Sequence, residues 1–201
     1  MSIKKYLYEI NKDFGYIYYL VPKVATRSLS LYFQCHNSCR IRTKHGILAD
    51  TPRHISDVHD LLFTFSFCRN PFSRLVSSYQ NKIIEKHEGG LDKYRNLNNF
   101  KDFIKIIKNL DLTLFQNDRH IMFQDSLIPS NIDFVGRFES LEEDLKIVCD
   151  EIKINKKNSV LHLNKSNYTN YIDYYDDETR EIVEKKYSVD LKRFGYKFGD
   201  K

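Results

Sequence analysis

Twice in this chain a short apolar run ends in a basic turn that opens directly into a helix, and this repeated pattern limits the folds open to it. The first run, Tyr16-Ile17-Tyr18-Tyr19-Leu20-Val21, is rich in aromatic and β-branched side chains and short enough for a buried strand. Pro22-Lys23-Val24-Ala25-Thr26-Arg27-Ser28 follows, and Leu29, Leu31, Tyr32 and Phe33 then supply a helix with its apolar face. The second run, Leu61-Leu62-Phe63-Thr64-Phe65-Ser66-Phe67, leads into Cys68-Arg69-Asn70-Pro71. Pro71 starts a helix at a position where its missing N–H removes no bond. Phe72, Leu75, Val76 and Tyr79 recur at three- and four-residue steps as its core face, while Arg69, Ser73 and Ser77 gather on another side.

A turn that delivers a strand into a helix N-terminus attracts anions. The first-turn N–H groups have no intrahelical partner, and the helix dipole adds roughly half a positive charge there. Lys23 brings an ammonium to the first turn, Thr26 and Ser28 bring hydroxyls, and Arg27 brings a guanidinium. The expected guest of Pro22 to Ser28 is a phosphate-like oxyanion, and Arg69 with Ser77 can share a second phosphate. A nucleoside-triphosphate loop would read Gly-x-x-x-x-Gly-Lys-Ser/Thr. Here the lysine comes first and there is no glycine, so the loop is expected to close less fully around a triphosphate. Lys23 suits a leaving phosphate better, and a kinase or ATPase reading loses weight.

The two segments together resemble the cofactor motifs of the carbohydrate sulfotransferases, particularly the branch of chondroitin-type Golgi enzymes and soluble bacterial relatives. That resemblance implies 3′-phosphoadenosine 5′-phosphosulfate as donor. It implies that Pro22, Lys23, Val24, Ala25, Thr26, Arg27 and Ser28 hold the 5′-phosphosulfate and that Arg69 and Ser77 hold the 3′-phosphate. Arg27 stands where the family more often has a hydroxyl residue. Phe134-Val135-Gly136-Arg137-Phe138-Glu139-Ser140-Leu141-Glu142-Glu143-Asp144-Leu145 is similar to the strand and helix that follow the donor motifs in the family. Leu163-Asn164-Lys165-Ser166, Tyr174-Tyr175-Asp176 and Asp190-Leu191-Lys192-Arg193-Phe194-Gly195-Tyr196 are similar to the way these enzymes end. Lys165 is the basic residue of a C-terminal loop expected to close over the donor phosphates.

Sulfuryl transfer, by analogy with phosphoryl transfer, is expected to be loose and in line. It rests on positioning, on charge stabilisation at the leaving phosphate, and on a base for the acceptor proton. Lys23 is the catalytic candidate on the leaving side. No carboxylate cluster resembles a magnesium site, so no metal is expected. Histidine suits the base, since its unperturbed pKa of about 6.5 leaves much of it neutral. His45, in Thr43-Lys44-His45-Gly46, is the first candidate, and His120, in an Asp118-Arg119-His120 element like that of the chondroitin-type branch, is the second. Arg74 is expected to bond strand-end carbonyls or Glu139. Tyr168, Tyr171, Tyr174 and Tyr175 are expected to pack beneath a loop, and Glu142-Glu143-Asp144 to complement a helix dipole.

With 201 residues, 41% of them hydrophobic, the chain can bury one sizeable core, and a single sulfotransferase domain over 1–201 is expected. The formal net charge of +5 suits an anionic nucleotide and an acidic glycan, but also nucleic acid or a membrane surface. The basic residues are scattered rather than gathered in a tail. The resemblance implies a carbohydrate or glycolipid acceptor as partner, and no nucleic acid and no stable membrane insertion are expected. No signal-peptide core and no run long enough to span a bilayer is evident, which gives the expectation of a cytoplasmic, bacterial enzyme. Four cysteines, Cys35, Cys39, Cys68 and Cys149, fit reduced thiols. Cys35, His36 and Cys39 lack a second ligand pair for zinc.

The coarse architecture expected is α/β, a central parallel sheet flanked by helices, and the resemblance implies the P-loop-like sulfotransferase fold. Strands are expected over 16–21, 62–68 and 132–137, with a weaker one over 46–48. Helices are expected over 26–37, 53–60, 71–87, 100–109, 141–152 and 177–187. Two alternatives stay open: a P-loop-like small-molecule kinase, and a non-catalytic binder of anionic polymers. Neither oligomeric state nor acceptor identity is encoded in these patterns.

Overall fold

The computed structural model describes residues 7–11, 13–34, 61–113, 118–154 and 170–200. Its sheet has four strands in the order β1 (Tyr8–Asn11), β2 (Tyr16–Tyr19), β3 (Phe63–Cys68) and β4 (Phe134–Arg137). Strands β2, β3 and β4 pair in parallel, with Tyr19 opposite Ser66 and Cys68 opposite Arg137. This is the expected parallel core. Strand β1 adds an antiparallel edge that periodicity did not announce. Its sequence, Tyr-Glu-Ile-Asn, looks half solvent-facing, yet all four residues are buried. The Glu9 carboxylate accepts a hydrogen bond from the Ser30 hydroxyl at 2.9 Å, so a charged residue sits in a covered strand with a partner.

The alternation of β2 builds two faces. Tyr16 and Tyr18 point with Phe65 toward Phe33 of helix α1 (Thr26–Gln34), with ring centroids 5.1 to 6.0 Å apart. Ile17 and Tyr19 join Tyr8 and Ile10 on the other face, with Leu62 and Ile132 packed beside them. Gly136 in β4 admits the Phe67 ring: a Cβ there would lie 2.5 Å from Phe67 Cε1, so no larger residue fits without moving a core aromatic.

Two compact units partition the chain, one built from Met1–Cys68 with Leu127–Leu163 and the other from Arg69–Ser126 with Asn164–Lys201. The sheet, α1 and helix α5 (Leu141–Glu151) belong to the first. The second is helical. Its α2 (Pro71–Tyr79), α3 (Phe100–Asn109), α4 (Gln124–Leu127), α6 (Asp177–Lys186) and α7 (Ser188–Phe194) surround a core that includes Phe72, Tyr79, Phe103, Ile107, Val183 and Tyr187.

The local signals account for most element starts. Asn70 caps α2 by accepting from Phe72 N–H at 3.1 Å, with Pro71 at the first helical position. Asn99 caps α3 through Asp102 N–H, and Asp176 with Thr179 forms a capping box on α6. Glu142, Glu143 and Asp144 fill the first turn of α5 as expected. Helix α2 is a correction: the expected span 71–87 ends as α-helix at Tyr79 and passes into a π-helical turn, Gln80–Ile84, closed by Glu85 N–H to Gln80 C=O at 2.8 Å. That widening turns Lys82 inward, where its ammonium donates to the Glu88 carbonyl at 2.6 Å. The expected strand over 46–48 and helix over 53–60 lie outside the described residues, as do Cys35, His36 and Cys39. Among the described residues no helix is long and apolar enough to cross a membrane.

Candidate functional site

The first basic turn sits at the carboxyl end of β2. Val21 and Val24 are fully buried, which pins the loop at two points, while Lys23 and Ala25 are half-buried. Both Lys23 (φ 74°) and Ala25 (φ 59°) adopt the left-handed conformation that a nucleotide loop usually assigns to glycine. Val24 between them does not. Alternation of this kind turns successive backbone N–H groups to one side as an anion-binding nest. The absence of glycine therefore does not keep the backbone from the left-handed conformation at these two positions.

The Thr26 hydroxyl donates to the Val21 carbonyl across the loop, so its proton closes the turn. Ser28 is buried in the first turn of α1, whereas Arg27 is exposed. Pro22 and Lys23 line the start of the loop, and Val24 offers only its backbone to a ligand, since its side chain is in the core. His45 and Lys165 fall outside the described residues.

The second basic turn opens the helical unit. Arg69 is buried, and its Nε–H donates to Ser73 Oγ at 2.9 Å, so the expected gathering of Arg69 and Ser73 is present. Ser77, one turn further along α2, is also buried. All nine residues of α2 are buried, including Ser73 and Ser77 on the side away from its apolar face. A covered face of arginine and serines requires partners or an anion. Arg74 is structural, as expected, although its partners differ from the strand ends and Glu139: it donates to the carbonyls of Met122 at 2.8 Å and Arg119 at 2.8 Å.

Those bonds, with Ser78 Oγ donating to the His120 carbonyl at 3.0 Å, tie the 119–122 segment to α2. On that segment His120 Nδ1 lies 2.5 Å from Asp118 Oδ1. A carboxylate only accepts, so Nδ1 carries the proton and Nε2 is the basic nitrogen of the neutral ring. Asp118 also accepts from the backbone N–H groups of His120 at 2.8 Å and Leu91 at 2.7 Å. Burial works against the Asp118 carboxylate, but the His120 ring and these N–H bonds outweigh it and hold its pKa below the ordinary value. Gly90 (φ 116°) passes so close that any Cβ would collide with both side chains.

The sequence offered Asp118 only as part of the Asp118-Arg119-His120 element, without the role of orienting partner, and did not single out Gly90 as the wall behind it. The two-residue spacing of Asp118 and His120 was the available signal for the first. Tyr171, Tyr174 and Tyr175 pack as expected: Tyr175 lies against Phe72, Phe100 and Phe198 and donates to the Phe72 carbonyl at 3.0 Å. Tyr174 stacks edge-on to Phe100, and the Tyr171 hydroxyl accepts from Gly199 N–H at 2.8 Å. Tyr168 lies outside the described residues. Among the described residues no cluster of metal-ligating side chains occurs.

A family model described as "Sulfotransferase family" matches residues 7–197. Carbohydrate sulfotransferase 10 of Xenopus laevis is 26% identical over 190 residues, covering 77% of this chain and 54% of its own. The chain thus spans about half the length of that relative. No solved structure matches it.

Proposed function

The chain belongs to the sulfotransferase family, and from that premise we propose that it moves a sulfuryl group from 3′-phosphoadenosine 5′-phosphosulfate to a hydroxyl of a carbohydrate or glycolipid. One observation carries the reading. Strands β2 and β3 are parallel neighbours, so Tyr19 and Cys68 bring the chain to the same edge of the sheet immediately before the Lys23 turn and Arg69. Within its own unit each basic turn suits an anion, and this supports the reading: the left-handed nest with Lys23 suits a phosphosulfate, and Arg69 with Ser73 and Ser77 suits a phosphate.

In the transfer, the acceptor oxygen forms a bond to sulfur as the bond from sulfur to the 5′-phosphate oxygen breaks, and 3′-phosphoadenosine 5′-phosphate leaves. Lys23 and the nest N–H groups stabilise charge on the departing phosphate. The acceptor proton goes to a histidine. What supports His120 is the Asp118 contact, which fixes its tautomer with Nε2 as the acceptor. His45 is the competing base. Such a transfer asks nothing of a metal from these residues.

Radiolabelled sulfate transfer to a glycan acceptor should vanish in Lys23→Ala and Arg69→Ala; an active double variant overturns the assignment. Loss of kcat by about 10²–10⁴ in His120→Ala, against a smaller loss in His45→Ala, identifies the base. The reverse pattern moves that role to His45. Titration separates the kinase alternative, since the free enzyme should bind metal-free 3′-phosphoadenosine 5′-phosphate in preference to magnesium ATP.

A further inference from the structure

Arg69 lies between the last residue of β3 and the cap of α2, where neither a sheet ladder nor a helix satisfies its main chain. One side chain does so twice. Gln124 Oε1 accepts from Arg69 N–H at 2.9 Å, and Gln124 Nε2 donates to the Arg69 carbonyl at 2.8 Å. Gln124 is itself held from the C-terminal helix: its backbone N–H donates to Asp190 Oδ2 at 2.9 Å, and Asp125 N–H donates to Asp190 Oδ1 at 2.9 Å. Three residues on, Arg193 grips the same short helix α4 through the Asp125 carbonyl at 3.1 Å and its carboxylate at 2.9 Å. Gln124 and Asp190 are fully buried. Displacing either one shifts the Arg69 backbone or leaves buried N–H groups without acceptors.

We infer that Gln124 and Asp190 are positioning residues for Arg69, setting its guanidinium for the 3′-phosphate of the donor. This inference rests on the donor reading above. With the main chain clamped by Gln124 and Nε–H taken by Ser73, the direction of the guanidinium is set before any ligand arrives. The Asp190 to Tyr196 stretch thereby acquires a role: it reaches Arg69 through the buried Asp190 and Gln124.

The test compares binding of 3′-phosphoadenosine 5′-phosphate with adenosine 5′-phosphate, which lacks the 3′ group, in the full chain and in Arg69→Ala, Gln124→Met and Asp190→Asn. Arg69→Ala should weaken the bisphosphate at least about 30-fold and the monophosphate less than about threefold, as expected for lost charge-assisted bonds. Gln124→Met should show the same selectivity at about 10-fold and Asp190→Asn at about three- to tenfold. Equal weakening of both nucleotides, or none, in the Gln124 and Asp190 variants beside a selective Arg69→Ala overturns the positioning role alone. If Arg69→Ala shows no selectivity, the donor reading falls and the inference with it. Should the variants not fold, amide hydrogen exchange of the unmodified protein decides. The bisphosphate, and not the monophosphate, should slow exchange at Arg69, Gln124 and Asp125 together, and unchanged exchange at Gln124 and Asp125 overturns the relay.

Discussion

Lys23 and Ala25 show how far a residue's context overrides its preference. Left-handed backbone costs an L-residue roughly 1–2 kcal/mol, and the two occurrences lie within three residues of a loop that the resemblance assigns to the phosphosulfate. Val21 and Val24 in the core, with the Thr26 hydroxyl tied back to Val21, hold the loop in place against that strain. Ala25→Val places a β-branched side chain at φ 59° and should lower stability by about 1–2 kcal/mol in thermal unfolding. Asp118→Asn keeps the shape of the pair but can donate to Nδ1, inverting the tautomer. If His120 is the base, kcat should drop about 100-fold or more with little change in donor affinity.

Asp190 carries a pH signature. Burial raises its carboxyl to about 6, opposed by the N–H bonds from Asp125 and Gln124 and by nearby Arg74 of α2, while the Asp125 charge adds to the rise and Tyr187 lies beside it. The unfolded carboxyl titrates near about 3.9. Between those values the folded protein holds a proton that the unfolded chain has released, so this group's contribution to stability grows as pH falls through 6 and levels off below 4. Denaturation at pH 7 and pH 5 should show the protein gaining about 1 kcal/mol relative to Asp190→Asn. A flat difference would place the Asp190 pKa at its ordinary value.

At the scale of elements, the sequence reads well where short-range chemistry decides. Phe100–Asn109 begins at the Asn99 cap and follows its apolar spacing to the last residue, and Pro71 marks the start of α2. It reads poorly where a contact elsewhere decides. Strand β1 is buried with Glu9 and Asn11 on it, the Ser30 hydroxyl donating to the Glu9 carboxylate and the backbone N–H groups of Asp13 and Phe14 donating to Asn11 Oδ1. The α2 helix ends early in a π turn that the three- and four-residue apolar recurrence also fits. Helices α4 and α7 are too short for periodicity to reveal. Gly136 is an element-scale device, leaving β4 flat enough for the Phe67 ring to lie across it. Gly136→Ala should destabilise the sheet by about 1–3 kcal/mol, measured by denaturant unfolding.

For the whole molecule, ligand linkage gives the broadest check. A donor-product nucleotide that binds only the folded chain at a hundredfold over its dissociation constant stabilises it by about 2.7 kcal/mol, a rise of roughly 5–10 °C in Tm for a chain of this length. Metal-free 3′-phosphoadenosine 5′-phosphate should give that shift and magnesium ATP should not. Equal shifts would favour the kinase alternative.

The sequence alone determined the strand–turn–helix pairs, the residue types at each basic turn, the caps and the family likeness. Each of these depends on residues within a few positions of one another. The tertiary structure decided the strand order, the left-handed path of the Lys23 loop, the Asp118 and Gly90 setting of His120, and the hold of Asp190 on Gln124 across 66 positions. Such features arise when distant segments satisfy each other's buried polar groups, and no local period records which segments will meet.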